Sequence, residues 1–143
     1  MPIATSAYPL AVAFIGTAMG LLVRPTDAAL APELVTGSIM AIGLAINISA
    51  KLALNRSFGL VAANRGVKQG GPYKLVRHPM YLGYFVTQLG FLLSSFSWFN
   101  LAIYVVAWVF QVLRIIEEEK FLSEDPEYRA FMIRVPRRIL PWF

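Results

Sequence analysis

His78 is the one histidine among 143 residues, and it stands between Arg77 and Pro79 where a polar, basic loop runs into an apolar segment. Pro79 suits the first position of a helix, where a missing N–H costs nothing, and it biases His78 toward an extended backbone. His78 is thus expected at a helix mouth, where partial positive charge and unpaired N–H groups are suited to an anionic or polar ligand group. A second set of reactive types lies further on. Gln111, Arg114 and Glu118 fall at i, i+3 and i+7, and so share one stripe of a helix. Arg114 and Glu118 can form an ion pair, and in an apolar setting such charges are functional candidates. Within the run Glu117–Glu119, Lys120 can pair with Glu117 or Glu124, which leaves Glu118 as the stronger site candidate.

Composition narrows the chemistry. The absence of cysteine excludes disulfides, thiolate metal sites and a cysteine nucleophile, and a single histidine argues against a transition-metal centre. Apolar residues make up 57% of the chain and the mean hydropathy is +0.60, so the expected class is an integral membrane protein of one domain, residues 1–143. The net charge of +5 belongs to residues flanking apolar runs, which points to membrane orientation and not to nucleic acid.

The elements that must carry these residues are four apolar runs, expected as helices over about 8–23, 33–54, 79–97 and 101–123, with a short amphipathic helix over about 127–134. Small residues Gly37, Ala41, Gly43, Ala45 and Ala50 are expected to allow close helix contact, and Asn47 to bond a neighbouring helix. Tyr84 and Phe85 read as interfacial anchors. The loop 55–78 holds Arg56, Arg65, Lys68, Lys74 and Arg77 with no acidic residue, so it belongs on the positive side of the membrane and is expected to fold over the site as a lid. The fold class expected is an all-α membrane protein with four transmembrane helices. Its third and fourth helices form a hairpin joined by a turn over 94–100, and the cytoplasmic loop and C-terminal amphipathic helix build the ligand site. Both termini are cytoplasmic, in a bacterial inner membrane. The apolar part of the fourth run, 101–113, spans only about 20 Å against a hydrocarbon core of about 30 Å, which brings Arg114 and the glutamates to headgroup level or below.

Two blocks resemble a known family. Gly71-Pro72-Tyr73 followed by Arg77-His78-Pro79-Met80-Tyr81-Leu82-Gly83 looks like the core motif of the isoprenylcysteine carboxyl methyltransferases and their phospholipid-methyltransferase relatives. Arg114 to Leu122, then Glu127-Tyr128, Arg134-Val135-Pro136 and Pro141-Trp142, resembles their C-terminal half in order and spacing. The resemblance implies S-adenosylmethionine as cofactor and a lipophilic methyl acceptor, with membrane lipids as surroundings. It places cofactor contacts on Tyr73, His78, Pro79, Met80, Tyr81 and Glu118, with loop contacts near Arg65, Gly66, Val67 and Lys68, and the acceptor carboxylate on Arg114. Arg114 and Glu118 are the catalytic candidates. The favoured reaction is carboxyl O-methylation of an isoprenylcysteine-like substrate; the alternatives are phospholipid N-methylation and, in another class, a non-catalytic membrane binding module. The chain departs from the eukaryotic enzymes in having Arg65 where they have histidine and no matching glutamine upstream of it.

Overall fold

The computed structural model describes residues 7–54, 70–140 and 143. Val67, Lys68 and the neighbouring Arg65 and Gly66, together with most of the expected lid, lie outside the described residues. Every described element is helical: α1 (Ala7–Ala18), continued by a 3-10 turn over Met19–Leu22, α2 (Glu33–Leu54), α3 (Pro79–Ser94), α4 (Trp98–Leu122) and α5 (Pro126–Arg134), with a further 3-10 turn over Gly71–Lys74.

Helices α2 and α4 are long and apolar enough to cross a membrane. They are not the wrapped helices of a soluble core, because large apolar side chains stand open along them, Leu34 at 83% and Val109 at 54% exposure. With 12 and 16 residues, α1 and α3 are shorter.

The fourth helix starts earlier than the sequence suggests. Ser97 caps it, its hydroxyl accepting from the Asn100 N–H at 3.0 Å, so Trp98, Phe99 and Asn100 belong to α4 and only 95–97 form the turn. From Trp98 to Arg114 the helix rises about 24 Å, so the charged block sits near one edge of a hydrocarbon layer of about 30 Å.

The short turn 95–97 joins α3 to α4, yet these two helices are not each other's main packing partners. The closest partner of α3 is α2, while α1 packs on α4, and α3 and α4 touch through a few large side chains. The reason is a mutual approach of glycines. A Cβ added at Gly83 would lie 2.8 Å from both the Asn47 nitrogen and the Gly43 carbonyl oxygen, so the two backbones touch with nothing between them. Asn47, buried, donates from Nδ2 to the Met80 carbonyl at 3.1 Å, tying α2 to the first turn of α3 as the sequence suggested. Of the small residues expected to pack, Gly43 is buried in this seam and Ala50 in the cluster at one end of the bundle, whereas Ala41 and Ala45 are exposed and a Cβ on Gly37 would meet nothing. Between α3 and α4, Phe85 meets Trp108 and Phe91 meets Tyr104, and Gln88 accepts from Trp108 Nε1 at 2.9 Å.

The two ends of the bundle are fastened differently. At the end where α4 begins, the segment 24–30 is bonded to the α3–α4 turn: Asn100, fully buried, accepts from the Arg24 N–H at 3.0 Å and donates to the Arg24 and Ser95 carbonyls. At the opposite end a buried cluster of Ala50, Tyr73, Tyr128, Phe131 and Val135 joins α2, the 3-10 turn and α5, with Met80, Leu122 and Met132 packed against it. Helix α5 begins one residue before expectation because Pro126 occupies its first position and Asp125 caps it through the Glu127 N–H at 2.8 Å.

Candidate functional site

The end of α4, the start of α3 and the segment after α5 meet at one place. Gly71 makes the entry possible. Its φ of +56° is a left-handed conformation open to glycine, and it turns the chain into the 3-10 turn that buries Tyr73. Pro79 then starts α3 with His78 as its N-cap. The His78 side chain does not cap the helix; it reaches α4 instead.

Two neighbouring carboxylates receive these groups, and they do so differently. Glu119, 4% exposed, is surrounded. His78 Nε2 lies 3.0 Å from its Oε1, and Arg138 Nε donates to its Oε2 at 2.7 Å. Arg77 Nε is 2.8 Å from Oε1 but off the hydrogen-bonding direction, so it acts as an ion-pair partner, while its Nη1 donates to the Met132 carbonyl at 3.4 Å. Glu118, one residue earlier and so about 100° around the helix, is 23% exposed. Its Oε1 accepts from the Tyr81 hydroxyl at 2.7 Å and from Arg114 Nε at 3.2 Å, and the Arg114 guanidinium lies over the Tyr81 ring at 5.6 Å. Among the described residues the hydrogen bonds to Glu118 all fall on Oε1.

Tyr73, His78, Pro79 and Tyr81 are buried about this junction, and Met80 packs into the adjoining apolar cluster. Burial, with the negative charge of Glu118 adding to it, pushes the Tyr73 phenol up to about 12, and burial likewise raises Tyr128, which also faces Glu119. Both phenols therefore keep their protons, and their capacity to donate, at neutral pH.

The helix mouth is less open than the sequence implies. The Arg77 and His78 N–H groups donate to the carbonyls of Arg137 and Arg138, each at 2.9 Å, so a stretch of C-terminal chain takes the donors just ahead of α3. Among the described residues, that stretch of chain takes no bond from the first-turn N–H groups of Met80 and Tyr81.

Three residues that hold the junction together are not among the site candidates of the sequence: Glu119 stands behind Glu118 there, Arg77 enters as a loop cation and as part of the first motif block, and Arg138 does not enter. The one signal for Arg138 was a dibasic pair after Pro136, adjoining a block already matched to the family.

The model of the phospholipid methyltransferase family matches residues 33–125, well over half of the chain and inclusive of both carboxylates and the whole of α3. The chain belongs to that family. The matched span begins with α2 and ends as α5 is about to start, so this methyltransferase's Arg138 and the segment around it lie beyond the match. No curated protein and no solved structure matches the chain. Family membership agrees with the two apolar helices long enough to cross a membrane, and the protein is an integral membrane methyltransferase by family.

Proposed function

We propose that this methyltransferase uses S-adenosylmethionine to methylate a lipophilic acceptor at the inner face of the membrane, by O-methylation of a carboxylate such as that of an isoprenylcysteine-like substrate. In this reading all four long helices lie in the bilayer, both termini and the 55–78 loop are cytoplasmic, and the acceptor arrives laterally between helices. The observation that carries it is the meeting of Tyr81, Arg114 and Glu118 at one oxygen, which unites the two motif blocks.

The residues fit such a cofactor by their chemistry. Glu118 Oε2, without a hydrogen bond among the described residues, suits a ribose hydroxyl or an ammonium group, the Tyr73 and Tyr81 rings suit a purine face, and the first-turn N–H groups of Met80 and Tyr81 suit a carboxylate. His78 and Pro79 shape that mouth. When bound, the sulfonium supplies an electrophilic methyl group. The chain's own task is then placement. An acceptor carboxylate is already ionised at neutral pH, so no base is needed, and Arg114 supplies the cation that orients it. The apolar walls of α3 and α4 keep water away.

A second reading, in keeping with the description of the matching family as phospholipid methyltransferases, is N-methylation of a phospholipid amine. An amine must first lose a proton, which would give Glu118 or His78 the work of a base, so its rate would climb with pH. Calorimetry of the purified protein with S-adenosylhomocysteine tests the cofactor: saturable binding, lost in His78→Ala and Glu118→Ala, is expected, and no heat at millimolar ligand would overturn the proposal. Incubation with radiolabelled cofactor and a bacterial lipid extract then separates the acceptors, because an ester label is released by base and an N-methyl label is not. Arg114→Ala is expected to retain cofactor binding and abolish transfer.

A further inference from the structure

Arg138 lies beyond the matched family span, yet it makes the shortest bond to the most buried carboxylate of the site, 2.7 Å from its Nε to Glu119 Oε2. The same residue's carbonyl accepts from the His78 N–H at 2.9 Å, so Arg138 grips His78 twice, once through the backbone and once through Glu119. Its neighbour Arg137 repeats the backbone part on Arg77.

Consider what this does to the imidazole. A carboxylate only accepts, so the ring nitrogen facing it must carry a proton, and His78 Nε2 is fixed as a donor to Glu119 Oε1. Nδ1 is then the ring atom left for a ligand. That setting holds only while the carboxylate keeps its orientation. Arg77 contributes charge to Glu119 without an aligned bond, so it cannot fix the rotation of the carboxylate. Arg138 can, because it holds the other oxygen from the opposite side with a charge-assisted bond. A group outside the reacting pocket thereby decides which nitrogen His78 presents.

We infer that Arg138 is a positioning residue, which acts through Glu119 to hold His78 with Nε2–H on the carboxylate and Nδ1 turned to the cofactor. The inference rests on the proposed reading of His78 as a cofactor contact. Its side chain is 34% exposed, so its replacement leaves no large cavity and no deeply buried charge of its own.

The test uses the full chain in detergent, with S-adenosylhomocysteine as the probe, in the wild type, Arg138→Gln, Arg138→Lys and Arg137→Gln. The last removes the same charge from the same segment through an exposed side chain. Arg138→Gln is expected to weaken binding about tenfold or more, the worth of one charge-assisted hydrogen bond, with Arg138→Lys restoring most of it and Arg137→Gln leaving it unchanged. Because the chain has one histidine, its imidazole ¹⁵N and N–H resonances are read without assignment. The slowly exchanging Nε2–H signal is expected in the wild type and in Arg138→Lys, and it should be lost or broadened in Arg138→Gln. Unaltered affinity in Arg138→Gln overturns the inference, and so does weakened affinity with an unaltered imidazole spectrum, since the arginine would then act by another route. If Arg138→Gln does not fold, Arg138→Met is read in its place, because it keeps an apolar stem beside Phe143 and removes only the charge. His78→Ala separates this inference from its premise: retained binding there refutes the role of His78 itself, whereas loss in His78→Ala with none in Arg138→Gln refutes only the role of Arg138.

Discussion

Glu118 and Glu119 are adjacent and chemically identical, and their surroundings call for opposite phenotypes on removal. Glu119→Ala takes away the carboxylate on which the buried Arg77 and His78 and the half-buried Arg138 converge. The Arg77 guanidinium is left deep in the protein without its ion-pair partner, a situation that costs about 3–5 kcal/mol. Against a total stability of about 5–15 kcal/mol this is a large share, and it corresponds to a fall of about 10 °C or more in thermal midpoint. Glu118→Ala leaves the buried Tyr81 hydroxyl without its acceptor but strands no deeply buried charge, because Arg114 is 23% exposed, so its cost should be about 1–3 kcal/mol and below that of Glu119→Ala. The assay is unfolding in one detergent at one protein concentration, followed by far-ultraviolet circular dichroism, with S-adenosylhomocysteine absent so that ligand linkage does not enter. A double-mutant cycle with Arg77→Ala should return a coupling of about 1–3 kcal/mol, because the second substitution removes the stranded charge. A Glu119→Ala protein as stable as the wild type, or a Glu118→Ala protein less stable than the Glu119→Ala protein, would refute the division of labour.

Gly83→Val should force α2 and α3 apart, since its Cβ would fall 2.8 Å from the backbone of both Asn47 and Gly43; a loss of about 1–3 kcal/mol in the same unfolding assay is expected. Asn100→Leu leaves the Arg24 N–H and the Arg24 and Ser95 carbonyls without their side-chain partner and should cost about 1–3 kcal/mol, yet cofactor affinity should hold, because the latch sits at the far end of the bundle. The raised Tyr73 phenol sets an alkaline limit. Folded and unfolded chains both hold the proton below the ordinary value near 10, so its contribution is complete there and is lost as pH climbs toward about 12. Helix content followed from pH 9 to 12 should fall in that window, and Tyr73→Phe should move the fall to higher pH; an identical curve for both proteins would contradict the assignment.

Much of the single-helix information was local and therefore legible. Pro32 and Glu33 open α2, Pro79 opens α3, and the long run without a breaker before Pro126 carries α4 past its apolar part. The start of α4 was harder, because Trp98 and Phe99 suit an interfacial turn as well as a helix, and Ser97 acts as a cap only through the Asn100 N–H that follows it. The pairing of α2 with α3 rests on Gly43 and Gly83 lying opposite each other, and a sequence names each glycine without saying which one it faces. The same holds at the site. Spacing brought Arg114 beside Glu118, but the choice of Glu119 as the buried hub depends on Arg77, His78 and Arg138 converging from three separate segments. The reading of Glu118 as a site candidate came from eliminating its neighbours, and the neighbour eliminated in part turned out to hold the most partners.

The grip of residues 137 and 138 on Arg77 and His78 has a bearing on biosynthesis. The helices can be threaded into the bilayer as they leave the ribosome, but the imidazole stays unset until dozens of further residues have been translated and have folded back. If Arg138 positions His78 as we infer, a chain cut after α5 would insert into the membrane and still lack a competent methyl-transfer centre.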